Sequence, residues 1–151
     1  MAVVSTVSNH WKNQLHKGLI DLNEATSPPH VFKIILMNTT FAFDKDAHAT
    51  LADVIASPSA ELATNYGYTQ QDKALSGGNL TEDDTGDKSY RTFDNVTWTA
   101  SVGDIGPTGC AIIYDDTTSD DTVVGCIDFG TDITVPNGSN LQIQSITISI
   151  T

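Results

Sequence analysis

A mainly β fold, an antiparallel β-sandwich or jelly-roll-like domain with one or two short helices, is what this 151-residue chain predicts. Three observations carry that expectation. From Phe93 onward the apolar residues fall into strand-like segments, VTWTASV, GCAIIYDDTTSDDTVVGCIDFG and LQIQSITISI. Turn chemistry separates them, through the acidic DDTTSDDT and through Val135-Pro136-Asn137-Gly138. In the first half, Val31-Phe32-Lys33-Ile34-Ile35-Leu36-Met37 is almost continuously apolar, the mark of a central strand covered on both faces. The length suits one structural domain over 1–151, large enough to bury its own core.

The elements follow in chain order. Residues 5–17 predict a helix, with Ser5, Thr6 or Ser8 as cap and with Trp11 and Leu15 on one face. Gly18 stops it, because glycine accepts the left-handed conformation. Before the helix, the small residues of MAVVSTVS suit a flexible arm over about residues 1–5. Gly18-Leu19-Ile20-Asp21-Leu22 begins an extended stretch, and Ser27-Pro28-Pro29 marks a turn. A second helix is expected over 47–56, where Leu51, Val54 and Ile55 keep helical spacing, and Pro58 ends it.

Tyr66-Gly67-Tyr68-Thr69 and Lys73-Ala74-Leu75 read as short strand pieces. Ser76 to Lys88 reads as an exposed loop or the tip of a long hairpin. Val96, Trp98, Ala100 and Val102 alternate with Thr97, Thr99 and Ser101 in a half-buried strand. Cys110–Tyr114 and Val123–Phe129 form a hairpin which, paired about residue 118, puts Ala111, Ile113, Val123, Ile127 and Phe129 on one face. Cys110, Ile112, Tyr114, Val124, Cys126 and Asp128 take the other. In the last segment Leu141 and Ile143 share one parity and Ile146, Ile148 and Ile150 the other. Either a bend near Gln144-Ser145 that passes the chain between sheets, which we prefer, or a continuous strand that exposes its second half to a neighbouring subunit resolves the switch.

The formal net charge is −12, and no Lys or Arg follows Arg91 although eight Asp residues do. Such a surface repels phosphate backbones, which argues against direct nucleic-acid binding, and it suits solubility or docking on a basic protein. No stretch has the roughly 18 apolar residues of a membrane-spanning helix. The start, MAVVSTVSNHWKNQ, lacks the basic and apolar regions of a signal peptide, so synthesis and folding in a cytoplasm are expected.

Catalytic signals are sparse. His10, His16, His30 and His48 lack metal-motif spacing, and we read them as solvated or structural. Cys110 and Cys126 have no second pair for a zinc site; in a cytoplasm two buried thiols are favoured over a cross-strand disulfide. The acidic runs at 82–87 and 115–121 offer oxygen ligands for calcium, but neither has the EF-hand pattern, and solvated loop tips are the expectation. No catalytic, cofactor-binding or metal residue is assigned, no cofactor is expected, and the chain is read as not an enzyme.

An ordered series of short motifs remains. It runs through Leu15-His16-Lys17-Gly18-Leu19-Ile20-Asp21-Leu22, Phe32-Lys33-Ile34-Ile35-Leu36-Met37, His48 with Asp53-Val54, Gly67-Tyr68-Thr69 and Lys73-Ala74-Leu75. Val96-Thr97-Trp98, Gly109-Cys110-Ala111-Ile112-Ile113-Tyr114, Ile127-Asp128-Phe129-Gly130 and Asn137-Gly138 complete it. The series resembles a family of small virion structural proteins of tailed bacteriophages, and the resemblance spans nearly the whole chain. Gln70-Gln71, Ile105-Gly106-Pro107 and the long acidic 76–91 region depart from the family pattern. The resemblance implies a capsid decoration or cement protein on the outer capsid surface, with the major capsid protein as partner and a homotrimer as its form. Two rival expectations are a neck or tail subunit (tail tube, terminator or adaptor) and a receptor- or carbohydrate-binding module of a tail fibre. The latter would use exposed rings, for which Tyr66, Tyr68 and Tyr90 are the candidates because Trp11 and Trp98 read as core.

Overall fold

The computed structural model describes residues 3–56 and 60–151. The described chain is mainly β, with two short helices and antiparallel sheets in an open, sandwich-like arrangement. One sheet has four strands: β1 (Thr6–Val7), β2 (Phe32–Asn38), β6 (Ile105–Asp115) and β7 (Val123–Val135), in the order β1-β7-β6-β2. Facing it are a three-stranded sheet, β3 (Leu80–Asp83), β4 (Lys88–Phe93) and β9 (Ile146–Ile150), and a two-stranded one, β5 (Val96–Thr99) with β8 (Asn140–Ile143).

Alternation of side chains decides what lies between the layers. Ile34, Leu36, Ala111, Ile113, Val124 and Ile127 of the first sheet pack with Phe93, Val96, Trp98, Ile143, Ile146 and Ile148 of the others. The opposite parity of the first sheet, Ile35, Met37, Cys110, Ile112 and Tyr114, packs under Leu51 and Val54 of helix α2 (Leu51–Ile55). So β2 is covered on both faces, as its apolar run predicts. It is not central in its ladder, however; among the described residues its outer side carries single bridges, Lys33 to Ala74 and Met37 to Glu61. The pieces expected at 66–69 and 73–75 are likewise bridges, not strands.

β4 and β5 are two parts of one bent ribbon with β8 and β9. Phe93 lies opposite Ile146 and Val96 opposite Ile143, so two residues are skipped on each side and the register is kept. At the break Ser145 takes φ +50, and its N–H donates to Asn95 Oδ1 at 2.9 Å. The parity switch read at Gln144-Ser145 is this passage between sheets. Ser76–Lys88 contributes the β3–β4 hairpin, the second of the two forms expected of it.

Several boundaries and faces differ from expectation. Helix α1 is Asn9–His16, not 5–17, because Thr6 and Val7 instead pair with Cys126 and Gly125 as β1. Its end at Gly18 (φ +69) and its buried Trp11 agree. α2 starts at Leu51, not 47, because Thr50 caps it: Asp53 N–H donates to the Thr50 hydroxyl and Thr50 N–H to the Asp53 carboxylate. Pro58, the expected stop, lies outside the described residues.

The β6–β7 register is displaced by two from symmetry about residue 118: Cys110 faces Asp128, and Cys126 faces Ile112. A bulge follows between Ile113 and Tyr114, so Val124 joins the inter-sheet core and Val123 the α2 side, the reverse of the sequence assignment. Asp128 is exposed. Val102 does not continue the β5 face; it is 88% exposed in a turn with φ +71. The arm expected at 1–5 is not free where described. Val4 N–H donates to Thr147 O of β9 (3.0 Å), while Ser5 N–H donates to Cys126 O of β7 (2.8 Å), clasping both sheets; residues 1–2 lie outside the described residues.

Candidate functional site

Hydrogen-bonding side chains concentrate at the β6–β7 turn, residues 115–122. Asp115 is fully buried at the end of β6, where the strand pairing places it under the 18–31 segment. Its carboxylate meets His30 Nδ1 at 2.6 Å and accepts from Thr117 N–H at 2.9 Å. Thr117 in turn accepts from Val31 N–H at 2.7 Å. Asp116 pairs with Lys33 of β2 at 2.9 Å, and Asp120 with His10 of α1 at 2.9 Å. Leu51 N–H, at the start of α2, donates to the Asp121 carbonyl at 2.9 Å. The acidic run is therefore a junction that ties α1, α2, β2 and the 18–31 segment together, not the solvated tip its composition suggests.

Electrostatics follow from that crowding. Burial raises the Asp120 carboxyl, but hydrogen bonds from Thr122 and His10 outweigh it and hold the group below the usual carboxylate range. Burial, with Asp116 and Asp120 beside it, pushes Asp121 up. Among the described residues no group of three or more His, Cys, Asp or Glu is arranged to hold a metal ion. The other acidic run is the β3–β4 turn, where Asp83 caps Gly86 N–H (2.9 Å) and lies 3.7 Å from Lys88.

The histidines are distributed over separate structural contacts. His10 and His30 meet carboxylates, and His48 accepts from Asp44 N–H while lying against Phe41 and Phe43. His16 lies on a groove beside the end of β9. Among the described residues the side-chain hydrogen bonds of His10, His30 and His48 go to carboxylate, amide or backbone groups. Cys110 and Cys126 are buried free thiols; the Cys110 sulfur beside it, with burial, pushes the Cys126 thiol up.

Two buried polar groups gave no usable sequence signal. Glu61, between Ala60 and Leu62, accepts from Tyr68 Oη (2.8 Å) and Gln71 N–H (3.0 Å). Tyr68 Oη also accepts from Leu36 N–H at 3.0 Å, on the side of β2 that has no ladder partner. Burial and then the Glu61 charge raise the Tyr68 phenol, which stays a donor. Arg91, 4% exposed, bonds Glu24 Oε2 at 3.0 Å and Gly77 O at 2.9 Å and lies 4.8 Å above the Phe93 ring. Both constellations fasten irregular chain to sheet.

The chain was compared with known proteins. No family model, curated protein or solved structure matches it. Of the rings considered for a sugar face, Trp11, Trp98 and Tyr68 are buried; Tyr66 is 43% exposed and Tyr90 half-buried. A groove of about 600 Å³ lies where the amino-terminal segment leaves β9 for β7, walled by Val7, Trp11, Lys12, Leu15 and His16 against Ser149–Thr151. Trp11 is buried behind this wall, and its Nε1 has no hydrogen-bond partner among the described residues.

Proposed function

We propose that the chain is a non-enzymatic structural component of a tailed-bacteriophage virion, a decoration protein that binds the outer capsid surface as a trimer and reinforces contacts between capsid subunits. The observation that carries this reading is the ordered motif series from Leu15 to Gly138. Its members occupy framework positions: Gly18 ends α1, Ile20 and Leu22 enter the core, Lys33 anchors the junction, Tyr68 stitches β2, and Trp98 fills the inter-sheet core. A resemblance at such positions concerns the scaffold on which a family builds its surfaces. The polar residues support the reading too, since the buried ones fasten segments together. Many copies on a lattice turn modest single contacts into firm attachment. The acidic surface, net charge −12, suits a basic protein shell and opposes contact with packaged nucleic acid.

A neck or tail subunit is the second reading, favoured by the acidic β3–β4 hairpin, an element that ring-forming subunits use between neighbours. A mass-spectrometric copy count against the major capsid protein in purified virions decides between them. Hundreds of copies, near one per capsid subunit, are expected. Six to twelve copies would place the protein in the neck or tail, and absence from particles would overturn both readings.

A further inference from the structure

The groove beside β9 is distinctive in charge. In a chain of net charge −12, Asp21 is the first acidic residue and Asp132 the last, so the segments that wall the groove contain none. Lys12 and His16 line it, and among the described residues Lys12 makes no ion pair. One wall is also an open sheet edge. Val4 N–H bonds Thr147 O, so the outward groups of β9 are those of Thr147 and, two residues on, of Ser149. Past the point where the amino-terminal segment turns away, the N–H and C=O of Ser149 face the groove.

The same sheet supplies a complementary piece at its far edge. β3 is the opposite outer strand, and its hairpin carries Glu82 and Asp84 exposed and without a cation partner among the described residues. Leu80, 45% exposed, gives that edge an apolar residue, as Ile150, 42% exposed, does beside the groove.

We propose that the groove receives the acidic β3–β4 hairpin of a second copy, so that copies join head to tail. β3 of one copy lies along β9 of the next and extends the three-stranded sheet; Glu82 and Asp84 face Lys12 and His16. Such a contact is heterologous, and it closes into a ring only if the rotation per copy permits, three copies giving the trimer. The inference rests on the trimer in the proposed function but not on attachment to a capsid.

The test uses the purified chain. Sedimentation equilibrium is expected to show concentration-dependent association. Lys12→Glu alone and the pair Glu82→Lys with Asp84→Lys should each weaken it at least about tenfold, with thermal melting unchanged. Combining all three changes in one chain should restore it. In the unaltered chain, hydrogen exchange at Ser149 should slow as concentration rises. Association indifferent to the hairpin reversal Glu82→Lys with Asp84→Lys, as a symmetric β9–β9 contact would be, overturns the proposal. So does a chain that stays monomeric; either failure is separate from the copy count in virions.

Discussion

Gly125 of β7 sits under the amino-terminal segment, where a Cβ would come within 2.3 Å of the Thr6 carbonyl oxygen and 2.6 Å of Val4 Cγ1. The absence of a side chain there is what lets the segment lie flat on the sheet. Gly125→Ala is expected to lower stability by about 1–3 kcal/mol, the usual cost of overpacking. Hydrogen exchange should show faster exchange at Ser5 and Ser8, whose amides bond β7. Tyr68 makes the corresponding test of polar packing. Its hydroxyl links Leu36 N–H to Glu61, so Tyr68→Phe leaves both without that partner. About 1–3 kcal/mol should be lost in denaturant unfolding with an unchanged m-value. Neither role is readable locally, since Gly125 serves residues near the start of the chain and Tyr68 serves a strand about thirty residues earlier.

At the scale of elements, α2 has five residues and depends on its cap and on packing more than on propensity. Thr50→Ala should cost about 1 kcal/mol in thermal or chemical unfolding. The Thr50 hydroxyl and backbone N–H hold the Asp53 carboxyl below the usual carboxylate range. A depressed carboxylate contributes stability above its unfolded value, about 3.9, and loses it as pH falls through the folded value. Melting temperature should therefore fall in acid below about pH 4, and Asp53→Asn should make that fall shallower. Asp120 adds in the same direction, and the raised Asp121 opposes it. The strands themselves were largely legible, because apolar runs of period one or two give β2, β5, β6 and β7, and a parity switch gives the break before β9. Register was not. The turn after β6 is asymmetric because it gathers His10, His30 and Lys33 from elsewhere, and no local pattern encodes that. β1, two residues long, has no periodicity to detect. The groove was equally hidden, being assembled from chain segments about 140 residues apart.

For the whole molecule, a net charge of −12 means that the compact state works against its own repulsion. Raising ionic strength from about 0.01 to 0.15 M shortens the screening length from about 30 to 8 Å, and the melting temperature should rise with it. Destabilisation by salt would instead show that the ion pairs of the β6–β7 junction outweigh the repulsion. The clasp between Val4, Thr147 and Cys126 has a consequence in time. Thr6 waits for Cys126, which is made 120 residues later. At 5–20 residues per second that is about 6 to 24 seconds of synthesis. The first strand to leave the ribosome is thus among the last to find its place, and for that interval Val4 and Val7 are exposed to whatever the nascent chain meets.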